Sequence, residues 1–407
     1  MTRAARGPVL LAVGSVASGL LAYVLFALVT RGLGAAEAAP VTVLWTVWAL
    51  AGAAVTFPLQ HWITHSVVSG REGDVRRSAG RVATLVVAGA LALGGVSWAV
   101  RGRLFRTDDV WFPVLTTLVV VGAAAVGVLR GGLAGRGRMG AVALTLVAEN
   151  ALRCVLVGVL LAAGVHDPVA HGLCLVAGSL VAVWPPAWRY ADAGPGRARP
   201  LAFLGGAASG QLAAQVVLTG GAVLVALLGG ARAEVTSVFA ALAVFRAPYQ
   251  VALGVLPQLT AHLSALVSAG DGGAVRVLAR RLALLTAVGV PTGAALGAFA
   301  GPAVLRVVFG GSVDLGAGTA ALVAAGCTLA LTNVALMVGV LVHDRPAWVA
   351  TAWATALLAG AVTVVALGDR GPADRAASAF VVAELAAAVA LGVAAWVVLR
   401  SGRGVRA

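Results

Sequence analysis

The chain has 407 residues, of which 60% are hydrophobic and only 11% charged, and its mean hydropathy is +0.99. A soluble domain holds roughly 45–50% apolar and about 25% charged residues, so this composition excludes a water-soluble globule. The formal net charge is +14, but no basic patch is interleaved with exposed aromatics, so nucleic acid is not an expected partner. A membrane span needs ~20 mostly apolar residues. Reading the chain in order predicts twelve of them: 8–30, 41–67, 82–100, 111–129, 141–164, 171–188, 201–228, 234–266, 282–300, 317–342, 347–367 and 377–399. The first apolar run exceeds twenty residues, against ~7–15 in a signal peptide, so it reads as an uncleaved span. All twelve are expected to be helices, because backbone polar groups in lipid must be satisfied within the segment. The ~10-residue alternating strands of a membrane barrel are absent.

All 29 basic residues are arginine. With the N-terminus cytoplasmic, nineteen arginines fall in cytoplasmic segments and eight outside, so both termini are expected in the cytoplasm. The absence of lysine beside abundant Ala, Gly and Val points to a GC-rich bacterial genome, hence to a bacterial cytoplasmic membrane. The connection RYADAGPGRARP divides the chain into an expected six-helix bundle at 1–190, a cytoplasmic linker at 191–200 and a second bundle at 201–407. The halves look related. At an offset of 199 residues Pro58 meets Pro257, Glu72 meets Asp271, and Arg77 and Arg81 meet Arg276 and Arg280. Six spans per half make the repeats parallel, with a pseudo-two-fold axis along the membrane normal.

Ionisable groups inside the spans are expensive and mark functional candidates. Arg246 lies near the middle of span eight, with Gln250 one turn on and Pro248 and Pro257 expected to kink the helix. It reads as a cationic site in a central cavity, or as an arginine capping a kink. Arg153 follows Glu149 by four residues in span five, which suits a structural ion pair as well as a ligand site. Glu384 in span twelve has no partner in its own helix. It reads as a proton-titrating carboxylate or as the partner of an arginine elsewhere. Gln211, Gln215 and Thr219 form a stripe on span seven, lining a cavity or holding helices together. His61 and His65 are one turn apart on span two and are candidates for proton coupling. No carboxylate or cysteine accompanies them, which argues against a metal. Cys154, Cys174 and Cys327 fit no metal spacing and read as small apolar residues. Without lysine there is no P-loop, and no nucleophile motif is present. No cofactor and no enzyme activity are expected. The outer-loop pair Asp108–Asp109 would suit a polytopic glycosyltransferase, but reads better as a solvated loop offsetting nearby arginines.

Four stretches resemble the MOP exporter superfamily, and within it the polysaccharide (O-antigen-type) flippases. They are VTRGLGAAEAA after span one, LRGGLAGRGRMGAVAL after span four, FRAPYQVALGVLPQLTAHLSALVSAGD in and after span eight, and GPAVLRVVFGGSVDL after span nine. The last resembles a short interfacial helix. Span one lacks the carboxylate often found in the multidrug branch. The resemblance implies a two-lobed transporter working by alternating access on a polyprenyl-diphosphate-linked oligosaccharide. Arg246 would hold the diphosphate, Arg31 would guard the outer mouth, and Arg153 would be a weaker contact. The sugar would face Gln211, Gln215 and Gln250, with an H+ or Na+ gradient as a possible drive. Membrane lipids and glycan-assembly enzymes are the expected partners. A multidrug or metabolite antiporter of the same fold, and a non-transporting scaffold, are the competing readings.

Overall fold

The computed structural model describes residues 3–183, 212–269, 271–343 and 345–401. Most of these residues are helical, no strand occurs among them, and each predicted span falls mainly in helix where it is described. The protein is all-α and multi-pass. Eight of the described helical stretches are long and apolar enough to cross a membrane, the first of them, Val9–Val68, covering two predicted spans. Large apolar side chains such as Leu285 and Val365 face outward. In lipid this carries none of the cost it would carry in water. Two compact units divide the chain, Met1–Leu212 and Ala213–Ala407. The predicted linker 191–200 and Gln211 lie outside the described residues.

In the first unit, α1 (Arg3–Ala51) is two helices joined at Gly34, whose φ of 78° suits a residue without a side chain. Span two continues through a π-helical turn, Gly52–Thr56, into α2 (Phe57–Val68). Pro58 cannot donate to the carbonyl one turn back, so the hydrogen-bond ladder slips just before it. Next come α3 (Glu72–Ala99), the single turn α4 (Arg101–Leu104), α5 (Trp111–Gly135) and α6 (Met139–Ala162). The last is α7 (Pro168–Ala177), which runs on as a 3-10 segment, Gly178–Ala182. Asp167 caps α7, accepting from the N–H groups of Val169 and Ala170. The central helix is α5, packed by α1, α2, α3, α6 and α7. Its glycines admit α2 closely: a Cβ on Gly127 would lie 2.8 Å from the Thr56 carbonyl oxygen, and one on Gly135 2.6 Å from Val67 Cβ. Such small-residue stripes let backbones approach where lipid removes the hydrophobic drive.

The second unit holds α8 (described at 212–219), α9 (Gly221–Leu227), α10 (Arg232–Phe245) and α11 (Ala247–Ser268). It continues with α12 (Gly272–Phe309), α13 (Ala317–Leu341), α14 (Pro346–Ala366) and α15 (Pro372–Ser401). Here α13 takes the central place, against α10, α11, α12, α14 and α15. A Cβ on its Gly326 would strike the Phe380 ring of α15. The turn from α2 to α3 and the turn from α11 to α12 keep the 199-residue register to within one residue.

Two expectations change. The stretch after span nine is no separate interfacial helix. Instead α12 runs unbroken through Pro291 and Pro302 to Phe309, and ends at Gly310 with φ 102°. The break in span eight falls at Arg246, just ahead of Pro248, while α11 continues through Pro257.

Candidate functional site

Two groups of buried polar side chains stand out, one in each unit. In the first, α6 places Glu149, Asn150 and Arg153 on its inner side, all buried. Glu149 accepts from Arg153 Nη2 through Oε1 and from Arg130 Nη2 through Oε2, each at 2.6 Å. These short distances mark charge-assisted bonds. Arg153 is only 1% exposed. Its Nε donates to the Leu175 carbonyl of α7 at 2.9 Å and its Nη1 to Asn150 Oδ1 at 3.1 Å. Its guanidinium lies 4.5 Å from the centroid of the Trp48 ring, within cation–π range. Asn150 Nδ2 donates to Ser18 Oγ at 2.8 Å, and Ser18 Oγ donates to the Leu146 carbonyl at 3.0 Å. Arg130 adds bonds to the side chain and backbone of Thr145. Both limbs of α1 join α5, α6 and α7 in one network. A Cβ on Gly178 would sit 2.1 Å from Arg153 Nε, so the 3-10 segment passes there only as glycine.

The second group lies in the other unit. Arg246 is half-buried at the junction of α10 and α11. Gln250 is exposed one turn on, its N–H bonded to the Arg246 carbonyl. Glu384 on α15 is fully buried. Asn333 on α13 is its partner: Nδ2 donates to Oε2 at 2.7 Å and to the Glu384 backbone carbonyl at 2.8 Å. Among the described residues Glu384 Oε1 and Asn333 Oδ1, both buried, have no hydrogen-bond partner. Two acceptors without donors in one dry pair carry a desolvation cost. A proton on the carboxyl group, or a small cation between the oxygens, would offset that cost.

The other predicted residues are scattered. Arg31 is exposed on α1, three residues before Gly34. Gln215 is half-buried on α8, its carbonyl accepting from Thr219 Oγ1 at 2.7 Å. His61 and His65 are exposed on α2. The first lies 2.8 Å from the Phe57 carbonyl, and the second accepts from Arg71 Nη2 at 3.1 Å. Asp109 Oδ1 accepts from the Trp111 N–H at 2.8 Å, and Arg101 Nε donates to the Asp108 carbonyl. Among the described residues no three His, Cys, Asp or Glu side chains are grouped as a metal site would need.

Sequence reasoning missed Arg130 and Asn333. Arg130 stands in the run LRGG, where the two glycines resemble the end of a span and place it with the loop arginines. In the structure α5 continues five residues past it and buries it. The signal for Asn333 is a lone amide inside an apolar span, which needs a partner as a carboxylate does.

No family model matches the chain, and no curated protein matches it. Among solved structures it is similar to an inward-facing multidrug resistance MATE family transporter of the MOP superfamily. The TM-score is 0.70 at 14% identity, over 97% of this chain and 100% of that one. It is also similar to the lipid II flippase MurJ in an inward closed conformation, with a TM-score of 0.63 at 12% identity over 94% and 86%. A eukaryotic MATE transporter aligns with a TM-score of 0.56 at 15% identity over 99% and 98%. The chain therefore has the fold of the MOP superfamily transporters.

Proposed function

We propose that this protein is a transporter that carries a polyprenyl-diphosphate-linked oligosaccharide from the inner to the outer leaflet by alternating access. Solved structures of its fold include inward-facing and outward-facing forms, and one of them is a lipid II flippase. The observation that carries the reading is Arg246. It is a half-exposed guanidinium at a helix break inside a span. An arginine so deep in a membrane is costly unless it meets an anion or a cavity. Its planar fork suits a diphosphate, which it holds through paired charge-assisted bonds. Gln250, Gln215 and Gln211 offer amides to the sugar, and Arg31 a second cation near the end of span one. The Glu384–Asn333 pair is the coupling element, and His61 and His65 are weaker candidates for that role. Arg153 serves structure rather than substrate, since each of its nitrogens already has a partner within the unit. The protein sits in a bacterial cytoplasmic membrane with both termini inside, beside the enzymes that assemble the glycan.

The test is flipping of a polyprenyl-diphosphate oligosaccharide in proteoliposomes. Arg246→Ala removes a bidentate contact of about 3 kcal/mol, and flipping is expected to fall about 100-fold. Arg246→Lys is expected to recover part of it. The bonds around Asp108 and Asp109 tie down their own loop, so Asp108→Asn with Asp109→Asn is expected to leave flipping intact. Wild-type flipping by Arg246→Ala would overturn the assignment. The MATE likeness favours one second reading, a cation-coupled antiporter of drugs or metabolites. Gradient-driven efflux of an organic cation, with no flipping of the lipid, would establish it.

A further inference from the structure

We propose that the first turns of α12 form a binding surface for acidic phospholipids. At 38 residues α12 is about 57 Å long, well beyond a hydrocarbon core about 30 Å thick. Only 6% of its most apolar stretch is buried within the protein, so the helix faces lipid along its length. Leu284, Leu285 and Val288 are among its exposed side chains. One turn towards the N-terminus on the same half of the helix stand Arg276, Arg280 and Arg281, all exposed. At 100° per residue the six side chains fall within one half-turn. The face is therefore apolar at membrane depth and cationic where the helix leaves it.

Among the described residues none of these three arginines has an ion pair or side-chain hydrogen bond. Arg276 and Arg280 are one turn apart and repel each other. The acid at the start of the helix is occupied, since Asp271 Oδ1 caps the Ala274 N–H at 2.8 Å. The contrast with other arginines is sharp. At the far end of α12 Arg306 is paired with Asp314 at 3.0 Å. At the start of α3, which matches α12 in the repeat, Arg77 is paired with Asp74 at 3.0 Å, and Glu72 faces Arg136 at 3.8 Å. The protein itself answers the charges of Arg306, Arg77 and Arg136 and leaves the α12 trio unanswered. The charge missing from this surface is anionic, at headgroup depth, beside a stripe made for acyl chains. An acidic phospholipid supplies both, and each surface arginine strengthens its hold.

The experiment uses the full chain in mild detergent, with phosphatidylglycerol and phosphatidylcholine as probes and retained lipid counted by native mass spectrometry. The wild type is expected to retain phosphatidylglycerol in preference, and to release it as salt rises from about 0.1 to about 1 M. R276Q/R280Q/R281Q is expected to lose that retention about tenfold or more. Arg306→Gln is expected to stay within about twofold, because its charge is already paired. Retention by the triple variant equal to that of the wild type would overturn the proposal. So would retention of a polyprenyl diphosphate but not of phosphatidylglycerol, which would make the surface a landing place for substrate. Should the triple variant fail to fold, the salt titration of the wild type decides: phosphatidylglycerol that stays bound at high salt would equally overturn it.

Discussion

The buried polar cores of the two units are built to different rules. In the first unit Glu149 is held by two arginines, and the surrounding Asn150, Ser18 and Thr145 are all bonded. In the second, among the described residues, Glu384 meets a single amide, and two acceptor oxygens are left without donors. A closed network in a low-dielectric interior rigidifies what it joins, and a partly satisfied one is a costly arrangement that invites a ligand. The comparison teaches that a buried charge is not by itself a sign of function. The arginine expected as a weaker substrate contact, Arg153, is a staple between helices. The carboxylate with the emptier shell, Glu384, is the better candidate for a functional role.

The largest expected effect tests the closed network. Glu149→Ala would leave Arg130 and Arg153 facing each other with no carboxylate between them. Breaking a buried pair by removing one partner costs about 3–5 kcal/mol, and here two cations lose the same partner. The variant is expected to lose its sharp size-exclusion peak or to unfold at a much lower temperature in detergent. A melting curve like that of the wild type would mean the network holds little together.

The contrast between the units was only partly legible in the sequence. The helical spans among the described residues follow from apolar runs, and the join at Gly34 falls in the Arg-Gly-Leu-Gly stretch after the first of them. The Glu149–Arg153 pair follows from i, i+4 spacing alone. Arg130 and Asn333 did not follow, because both bonds cross between helices: Arg130 reaches α6 from α5, and Asn333 reaches α15 from α13. Periodicity orders residues along one helix and carries no information about which neighbour it touches. The continuous course of α12 was hidden for another reason. The stretch GPAVLRVVFGGSVDL resembles a separate short helix after span nine, yet α12 runs on through Pro302 to Phe309.

A middle-sized effect sharpens the same picture from the backbone side. Gly178→Ala would put a methyl group 2.1 Å from Arg153 Nε. That nitrogen is fixed by its bond to the Leu175 carbonyl, and the rest of the guanidinium by Glu149, Asn150 and Trp48. Neither side can yield without breaking part of the network, and overpacking of this kind costs about 1–3 kcal/mol. The melting temperature is expected to fall, by less than in Glu149→Ala. An unchanged melting temperature would show that the arginine has other positions open to it.

The smallest expected effect on stability belongs to Glu384→Gln, and it is the most discriminating. The amide has the shape of the carboxyl group, can still accept from Asn333 Nδ2, and carries an N–H that can be offered to the unpartnered Asn333 Oδ1. Unfolding is therefore expected to change by less than about 1 kcal/mol. What the amide cannot do is take up or release a proton, or neutralise a bound cation. If the Glu384–Asn333 pair couples transport to an ion gradient, proteoliposomes carrying the variant should move substrate at the same rate with and without the gradient. The wild type should be faster with it. A variant that still responds to the gradient would move the coupling role away from Glu384, with His61 and His65 as the next groups to replace. A variant that unfolds as readily as Glu149→Ala would erase the distinction between the two cores, since the carboxylate would then be holding its unit together too.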